Sequence, residues 1–400
     1  MRFLKSSFFL AAALTTLSAD SFLSEIKEES FKLQEEKIDA ERSKLRSSWI
    51  EPIELLASKN YNNQFGSDQK TTIYKISINQ PIFKSGGILY GIRYANAKGK
   101  YDLLSVKEQR RTLIKEAVSL LFKIKQADFQ KSRQEFVLEN ARIDLLRKRE
   151  QYENGQIDSG FLDNAVLAKN SAALTLLDIQ SSKNELIAAF RTLSDIEWEK
   201  ATLPVLESLT KEEYLEQSLE LKRAEADVLQ SDFYKSVTIA KYLPTFRLSA
   251  SYNDVTNENF AFGNGINFST EDGYYQYGLS ASWKFLDVNI LKDIESAKLS
   301  NLRAKNAKVD LENSLYLKYT KILDNIENID KKLELTKEDR ALYEKLSHDT
   351  KELYDAGHKS IYDVQTLENS AKIQSLNLEI LLLEKQLLLL ELYEKSEREL

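Results

Sequence analysis

The residues best equipped for chemistry in this chain are carboxylates, and little stands beside them to make a catalyst. Sixty-two Asp and Glu are interspersed with 56 Lys and Arg, while the sequence holds two histidines, His348 and His358, one Met and no Cys. Without cysteine there is no thiolate nucleophile, disulfide framework or soft-metal site. No Ser/His/Asp constellation, phosphate-binding glycine loop or metal-ligand spacing appears, so an enzyme built on a carboxylate pair is the weakest reading. No cofactor and no bound metal are expected. One carboxylate stands out by position: Asp363, in Tyr354-Asp-Ala-Gly357-His-Lys-Ser360-Ile-Tyr-Asp363-Val364. It lies early in a helical run, where a negative side chain satisfies free N–H groups and complements the helix dipole. His358, beside the same turn, reads as a solvated residue.

The turn that carries Asp363 occurs twice. Tyr152-Glu-Asn-Gly155 returns as Tyr354-Asp-Ala-Gly357, a shift of 202 residues that also carries Ala95 onto Ala297. Gly155 and Gly357 read as backbone-conformation residues where helices reverse. The turn segments they open, 155–160 and 357–361, include Gly160 and Ser360. Proline-free amphipathic stretches flank both turns. Leu103, Val106, Leu113, Ala117, Leu120, Ile124 and Ala127 recur at helical spacing in the first, and Leu311, Leu315, Tyr319, Ile322, Ile326, Ile329 and Leu333 in the second. A helix of roughly 65 residues would be ~100 Å long.

Each long helix is preceded by a pair of alternating segments. Tyr74, Ile76 and Ile78 alternate with polar residues in the first copy; Phe246 to Tyr252 and Tyr275 to Phe285 do so in the second. The sequence thus predicts a mainly α chain with a small β part and an internal two-fold repeat. The first repeat, 20–203, has a helix, a β-hairpin at about 50–83, a long helix at about 86–154 and a return helix at 161–199. The second, 204–400, has a helix at about 211–240 opened by a Thr210-x-x-Glu213 capping box. A β-hairpin at about 244–286, a long helix at about 287–355 and a return helix at 361–400 follow. All four prolines fall outside the long helices, whose interior each would disrupt by about 3 kcal/mol.

Residues 1–19 read as a secretory signal peptide, with Arg2 and Lys5 ahead of a short apolar core and Leu17-Ser-Ala19 as the cleavage site. No later stretch suits a transmembrane helix, so membrane contact must come from strands. Tyr74, Tyr252, Tyr275, Tyr277 and Trp283 lie near expected strand ends, where an interfacial girdle would sit. Four strands cannot close a barrel, which needs at least about eight, whereas a trimer would supply twelve. Helices this long likewise lack a globular core and need neighbours. A net charge of −6 without a basic stripe argues against nucleic acid.

Gln80-Pro81-Ile-Phe83-Lys-Ser-Gly86-Gly87, a strand-to-helix junction, resembles the signature of TolC-type outer-membrane efflux channels, as does the Tyr-x-x-Gly turn followed by Ile-x-Asp-Val. The second copy, Trp283-Lys-Phe-Leu-Asp-Val, lacks the Gln-Pro and Gly-Gly, and the first turn is two residues longer between Gly155 and Asp163. The resemblance spans essentially the whole chain after the signal. It implies a homotrimer in a Gram-negative outer membrane, with a periplasmic α-barrel continuous with a 12-stranded β-barrel, four strands per chain. It also implies a passive conduit for efflux or type I secretion. A periplasmic adaptor (membrane fusion) protein would dock at the turns, and an inner-membrane pump or ABC transporter would supply energy. By the same resemblance Asp363, Thr366 and Asp163 mark the periplasmic gate, Thr366 standing where the family has a second acid. The chain would not be lipid-anchored, for lack of Cys. The alternative is a soluble periplasmic coiled-coil adaptor or scaffold.

Overall fold

The computed structural model describes residues 22–63, 68–262, 266–285 and 287–398; the expected signal segment 1–19 lies outside them. The elements in order are α1 (Glu25–Arg46), β1 (Glu54–Asn62), β2 (Gln69–Phe83), α2 (Gly87–Glu153), α3 (Ser159–Leu193) and α4 (Lys211–Glu216). They continue with α5 (Leu219–Ala240), β3 (Thr245–Phe262), β4 (Ile266–Ser282), α6 (Ile290–Asp355) and α7 (Ile361–Tyr393). The protein is mainly helical. Helices α2 and α6 run 67 and 66 residues without interruption, as expected of stretches free of proline. No helix among the described residues is long and apolar enough to cross a membrane.

Two compact units divide the chain, and α2 and α6 contribute residues to both. The first comprises residues 22–29, 113–205 and 329–387. Its core joins Ala117, Leu121 and Ile124 of α2 to Phe190 and Leu193 of α3, with Phe22, Trp198 and Leu203 packed around them. Helix α3 ends at Leu193, short of the expected 199. The Ser24 N–H donates to the Leu193 carbonyl at 2.8 Å and the Glu25 N–H to the Asp195 carboxylate at 3.0 Å. The chain entering α1 thus takes over the end of α3, and Ser194 turns extended.

The second unit comprises the described residues of 30–112, 206–328 and 388–398. It holds the only sheet among the described residues, with antiparallel order β1-β2-β3-β4. The segment 211–240, expected as one helix, is two. The expected capping box of Thr210 and Glu213 is formed at the start of α4. At Gln217–Leu219, however, backbone groups turn to the C-terminal segment: Leu219 N–H donates to Lys395 O at 2.8 Å and Glu397 N–H to Gln217 O at 3.0 Å. Those bonds replace the helical ladder, and Ser218 then caps α5. A charged cluster holds the same segment. Glu108 accepts from Arg223 at 2.8 Å and pairs with Lys395 at 2.9 Å, and Lys395 reaches Glu220 at 2.6 Å.

The register of the sheet sorts its side chains by face. Leu55 pairs with Ile76, Ile76 with Tyr252 and Tyr252 with Tyr275, while Ile78 meets Ala250 and Leu248 meets Leu279. Because side chains alternate, these residues share one apolar face, and Ser77, Asn79, Ser249, Ser251, Gln276 and Ser280 share the other. Among the described residues no core covers the apolar face. Leu55 is 80% exposed, Tyr275 76%, Tyr277 81% and Leu279 67%. The aromatic residues expected near strand ends lie mid-strand instead, because β3 and β4 run 18 and 17 residues, well past Tyr252 and Tyr275. Trp283 lies just beyond the end of β4.

Candidate functional site

The two helix reversals are built alike. At the first, Gly155 N–H donates to Tyr152 O at 2.9 Å and Gln156 N–H to Gln151 O at 2.8 Å; at the second, Gly357 N–H donates to Tyr354 O and His358 N–H to Leu353 O, both at 2.8 Å. Gly155 and Gly357 have φ of +68° and +79°, the left-handed region that closes a helix C-terminus. A Cβ at either would meet no heavy atom within 4 Å. Replacing Gly357 by Ala should therefore cost about 1–2 kcal/mol from backbone conformation alone. Asn should be tolerated better than Ala, which thermal melting of the two variants would check.

The helices that leave these turns start on matched caps. Asp158 caps α3, its carboxylate accepting from Gly160 N–H at 2.8 Å. Gly160 is thus the second residue of the return helix rather than part of the reversal. Ser360 caps α7 in a reciprocal box: Ser360 N–H donates to Asp363 Oδ2 at 3.2 Å, its hydroxyl to the same oxygen at 2.8 Å, and Asp363 N–H to Ser360 Oγ at 3.3 Å. Asp363 therefore does cap the final helix. Its other oxygen faces Arg147 of α2 at 3.5 Å, and Arg147 also binds Asp144 at 2.6 Å.

The Ser360 hydroxyl is the main cause holding the Asp363 carboxyl below its ordinary value; burial opposes it, and the Ser360 N–H, Lys359 and Arg147 add to it. A depressed folded value means that the stabilisation is fully present above the ordinary 3.8 and is lost as pH falls through the folded value. A thermal midpoint that falls on acidification in this range, and falls less in Asp363→Asn, is the expected result.

Asp363 belongs to a line of polar contacts between α2 and α7. Tyr362 donates its hydroxyl to Glu150 at 2.6 Å, which pushes the phenol pKa up. Asn369 donates to Asn140 at 2.9 Å, and Arg133 to Asn377 at 3.3 Å. Thr366 spends its hydroxyl inside the helix on Tyr362 O at 2.8 Å. Asp163 is exposed, and none of the hydrogen bonds or ion pairs described joins it to Asp363 or Thr366. Counted from the caps, Asp363 is the third residue of α7 and Asp163 the fifth of α3, so the two do not hold equivalent places. Tyr362, Arg147 and Glu150 escaped sequence reasoning, because nothing local tells which helix α7 will pack against.

At the strand-to-helix junction each signature residue has a use. Gln80 accepts from Glu51 N–H at 3.0 Å and donates to Trp49 O at 3.1 Å, fixing the chain that enters β1. Pro81 is fully buried, and the pairing shifts register between Pro81 and Phe83, so its missing N–H falls at an irregularity. Phe83 packs its ring against Phe246 in a tilted contact, centroids 5.9 Å apart. Gly86 has φ +87°, and a Cβ there would lie 3.3 Å from the Tyr90 ring. Gly87 opens α2 against Ala240. Ser85, unremarked in the sequence, also has positive φ, +48°, and is held by its hydroxyl donating to Pro244 O at 2.7 Å.

Long helical hairpins reversing at Tyr-x-x-Gly turns, with a four-stranded antiparallel sheet, make up a fold shared with solved outer membrane channels. Solved structures similar to the chain include the outer membrane protein VceC of Vibrio cholerae, at 14% identity over 92% of this chain and 93% of that one, TM-score 0.71. The CmeC outer membrane channel of Campylobacter jejuni is 15% identical over 94% and 85%, TM-score 0.70. The open state of the Neisseria gonorrhoeae MtrE outer membrane channel is 16% identical over 92% and 85%, TM-score 0.69. No protein-family model and no curated protein sequence matches the chain.

Proposed function

We propose that this chain is the outer-membrane duct of a tripartite efflux or type I secretion system, a passive conduit of three copies. The observation that carries the reading is the bare apolar face of the sheet. Strands of 15 to 18 residues with apolar side chains in register have no partner layer among the described residues, which in water would be an aggregation surface. In lipid that face is in its proper solvent, provided the edges at β1 and β4 close on neighbouring copies. Aromatic residues support a membrane band. Phe83, Phe246, Trp283 and Phe285 gather at the junction, Phe83 with Phe246 and Trp283 with Phe285 in ring contact. Tyr252, Tyr275 and Tyr74 lie six, eight and nine residues up the strands from Phe246, Trp283 and Phe83, roughly 20–30 Å away. Beyond them come Asp254, Lys70, Glu258 and Asp272, as expected where strands re-enter water.

The helices support assembly independently. Leu302, Val309 and Tyr316 recur every seven residues on α6 and are exposed, as are Leu167, Leu174 and Leu177 on α3. Such stripes fit knobs-into-holes packing against further helices, giving an α-barrel of twelve. An internal repeat would give this threefold assembly quasi-sixfold symmetry. Its support is that turns, caps and an ion pair recur at the same shift: Lys183–Asp128 and Lys385–Asp330 each join residues 55 apart, at 2.5 and 2.6 Å.

In this reading the turns at Gly155 and Gly357 receive a periplasmic adaptor, and an inner-membrane pump or ABC transporter supplies energy. Asp363 serves the periplasmic gate by tying the start of α7 to α2, and opening means breaking that tie together with Tyr362–Glu150. Membrane fractionation tests the proposal. Recovery of the mature protein with outer membranes as a heat-resistant, detergent-requiring trimer supports it; a freely soluble monomer would establish the periplasmic coiled-coil alternative.

A further inference from the structure

A cavity of about 330 Å³ opens beside the strand-to-helix junction, and the turns and gate make no use of it. All of it lies in the second unit, where the end of α1, the start of α2 and the end of α5 converge under the first residues of β3. Its apolar wall is Leu45, Trp49, Ile88, Ile92 and Val237. Arg46, Lys84 and Lys241 bring three cations, and no carboxylate lines it. Lys241 is partly engaged, by Asp293 at 3.8 Å and the Tyr242 ring. Arg46 and Lys84 have no ion-pair partner among the described residues.

Two features give this hollow a shape. Gly91 lies in the interior of α2, where glycine weakens a helix, and a Cβ there would meet nothing within 4 Å. No close packing explains that glycine; it leaves a notch in the cavity wall. The first turn of α2 also carries no acidic residue, so the positive end of a very long helix is left for another anion. Trp49 is fixed at the wall because Gln80 accepts from and donates to the backbone on either side of residue 50.

We propose that this cavity binds an anionic glycerophospholipid, its phosphate between Arg46, Lys84 and the start of α2 and an acyl chain along the Gly91 notch. The proposal rests on the membrane reading above. Charge complementarity calls for an anion, and the surroundings call for one with a hydrocarbon tail. Ile82, Phe83 and Leu89, next in sequence to the lining residues Lys84 and Ile88, are exposed, apolar surface that a free phosphate would leave in water. The site sits at the junction where the proposed membrane band begins, at the depth of lipid headgroups.

The test uses the full-length protein in non-ionic detergent, titrated by native mass spectrometry with dioleoyl-phosphatidylglycerol, with dioleoyl-phosphatidylcholine and with inorganic phosphate as competitor. Phosphatidylglycerol should bind more tightly than phosphatidylcholine and resist displacement by phosphate. The Arg46→Gln/Lys84→Gln double variant should weaken phosphatidylglycerol about tenfold and leave phosphatidylcholine unchanged. Gly91→Leu, which fills the notch, should weaken both lipids. The double variant alters two unpaired side chains, so it remains informative even where Gly91→Leu fails to fold. Equal binding of the two lipids, or affinity for phosphatidylglycerol untouched by the double variant, would overturn the proposal, as would full displacement by phosphate, which marks a free-anion site. Those failures in a detergent-requiring trimer would leave the duct reading intact, whereas a soluble monomer would remove the reading itself.

Discussion

Phe190→Ala should destabilise the protein by about 3–5 kcal/mol, the largest loss expected of a single truncation in the first unit. Phe190 is 0% exposed and sits among Ala117, Leu121 and Ile124 of α2 and Leu193 of its own helix. Ala117 is too small to refill the space, and the larger partners would have to shift to do so. The cluster also lies where α3 ends and the chain entering α1 is bonded to Leu193 O and Asp195, so a collapse there would loosen three segments together. Thermal melting followed by helical circular dichroism measures the effect. A midpoint displaced no further than for an ordinary surface change, within about 0.5 kcal/mol, would contradict this account of the core.

The second large effect follows from the proposed duct. In planar bilayers Tyr362→Phe and Arg147→Leu should each raise the open-to-closed ratio. Each removes one tie between α2 and α7, at Glu150 and at Asp363 respectively. Exposed ties of this kind are worth about 0.2–1 kcal/mol each, so the ratio should rise about tenfold when the tie is lost at each of three positions. Asp363 variants separate two ways of gating. Asp363→Asn removes the charge and keeps a hydrogen-bonding group. If a ring of carboxylates holds the mouth shut around a cation, Asn abolishes divalent-cation block and Arg147→Leu does not. If the tie to Arg147 is what matters, Arg147→Leu reproduces Asp363→Ala. Since both oxygens of Asp363 are already engaged within the chain, the second outcome is the expected one.

Much of this fold could be read from local chemistry. The absence of proline marks α2 and α6, Tyr-x-x-Gly marks both reversals, Thr210 and Glu213 announce a capping box, and period-two alternation marks β3 and β4. Each of these signals acts within a few residues. What could not be read depends on distant partners. The break between α4 and α5 is made by the C-terminal segment pairing at Ser218, and α3 stops at Leu193 because the chain entering α1 takes its last carbonyl. The extent of the strands was hidden too. Charged residues beyond Tyr252 look like loop, yet Lys70–Glu258 and Asn257–Thr71 pairs extend the ladder across them. At the candidate gate, Asp363 was legible as an acid near a helix start, while Arg147 and Tyr362–Glu150 follow only from the packing of α7 on α2.

The central claim is that exposed apolar strands and unpartnered helix stripes are completed by two further copies of the same chain. Electron cryomicroscopy of the full-length protein purified in detergent tests it most directly. The account predicts a threefold hollow tube, with a closed β-barrel of twelve strands joined to a barrel of twelve helices. Compact single-chain particles without a lumen, or an assembly in which the apolar sheet faces stack on one another, would contradict it.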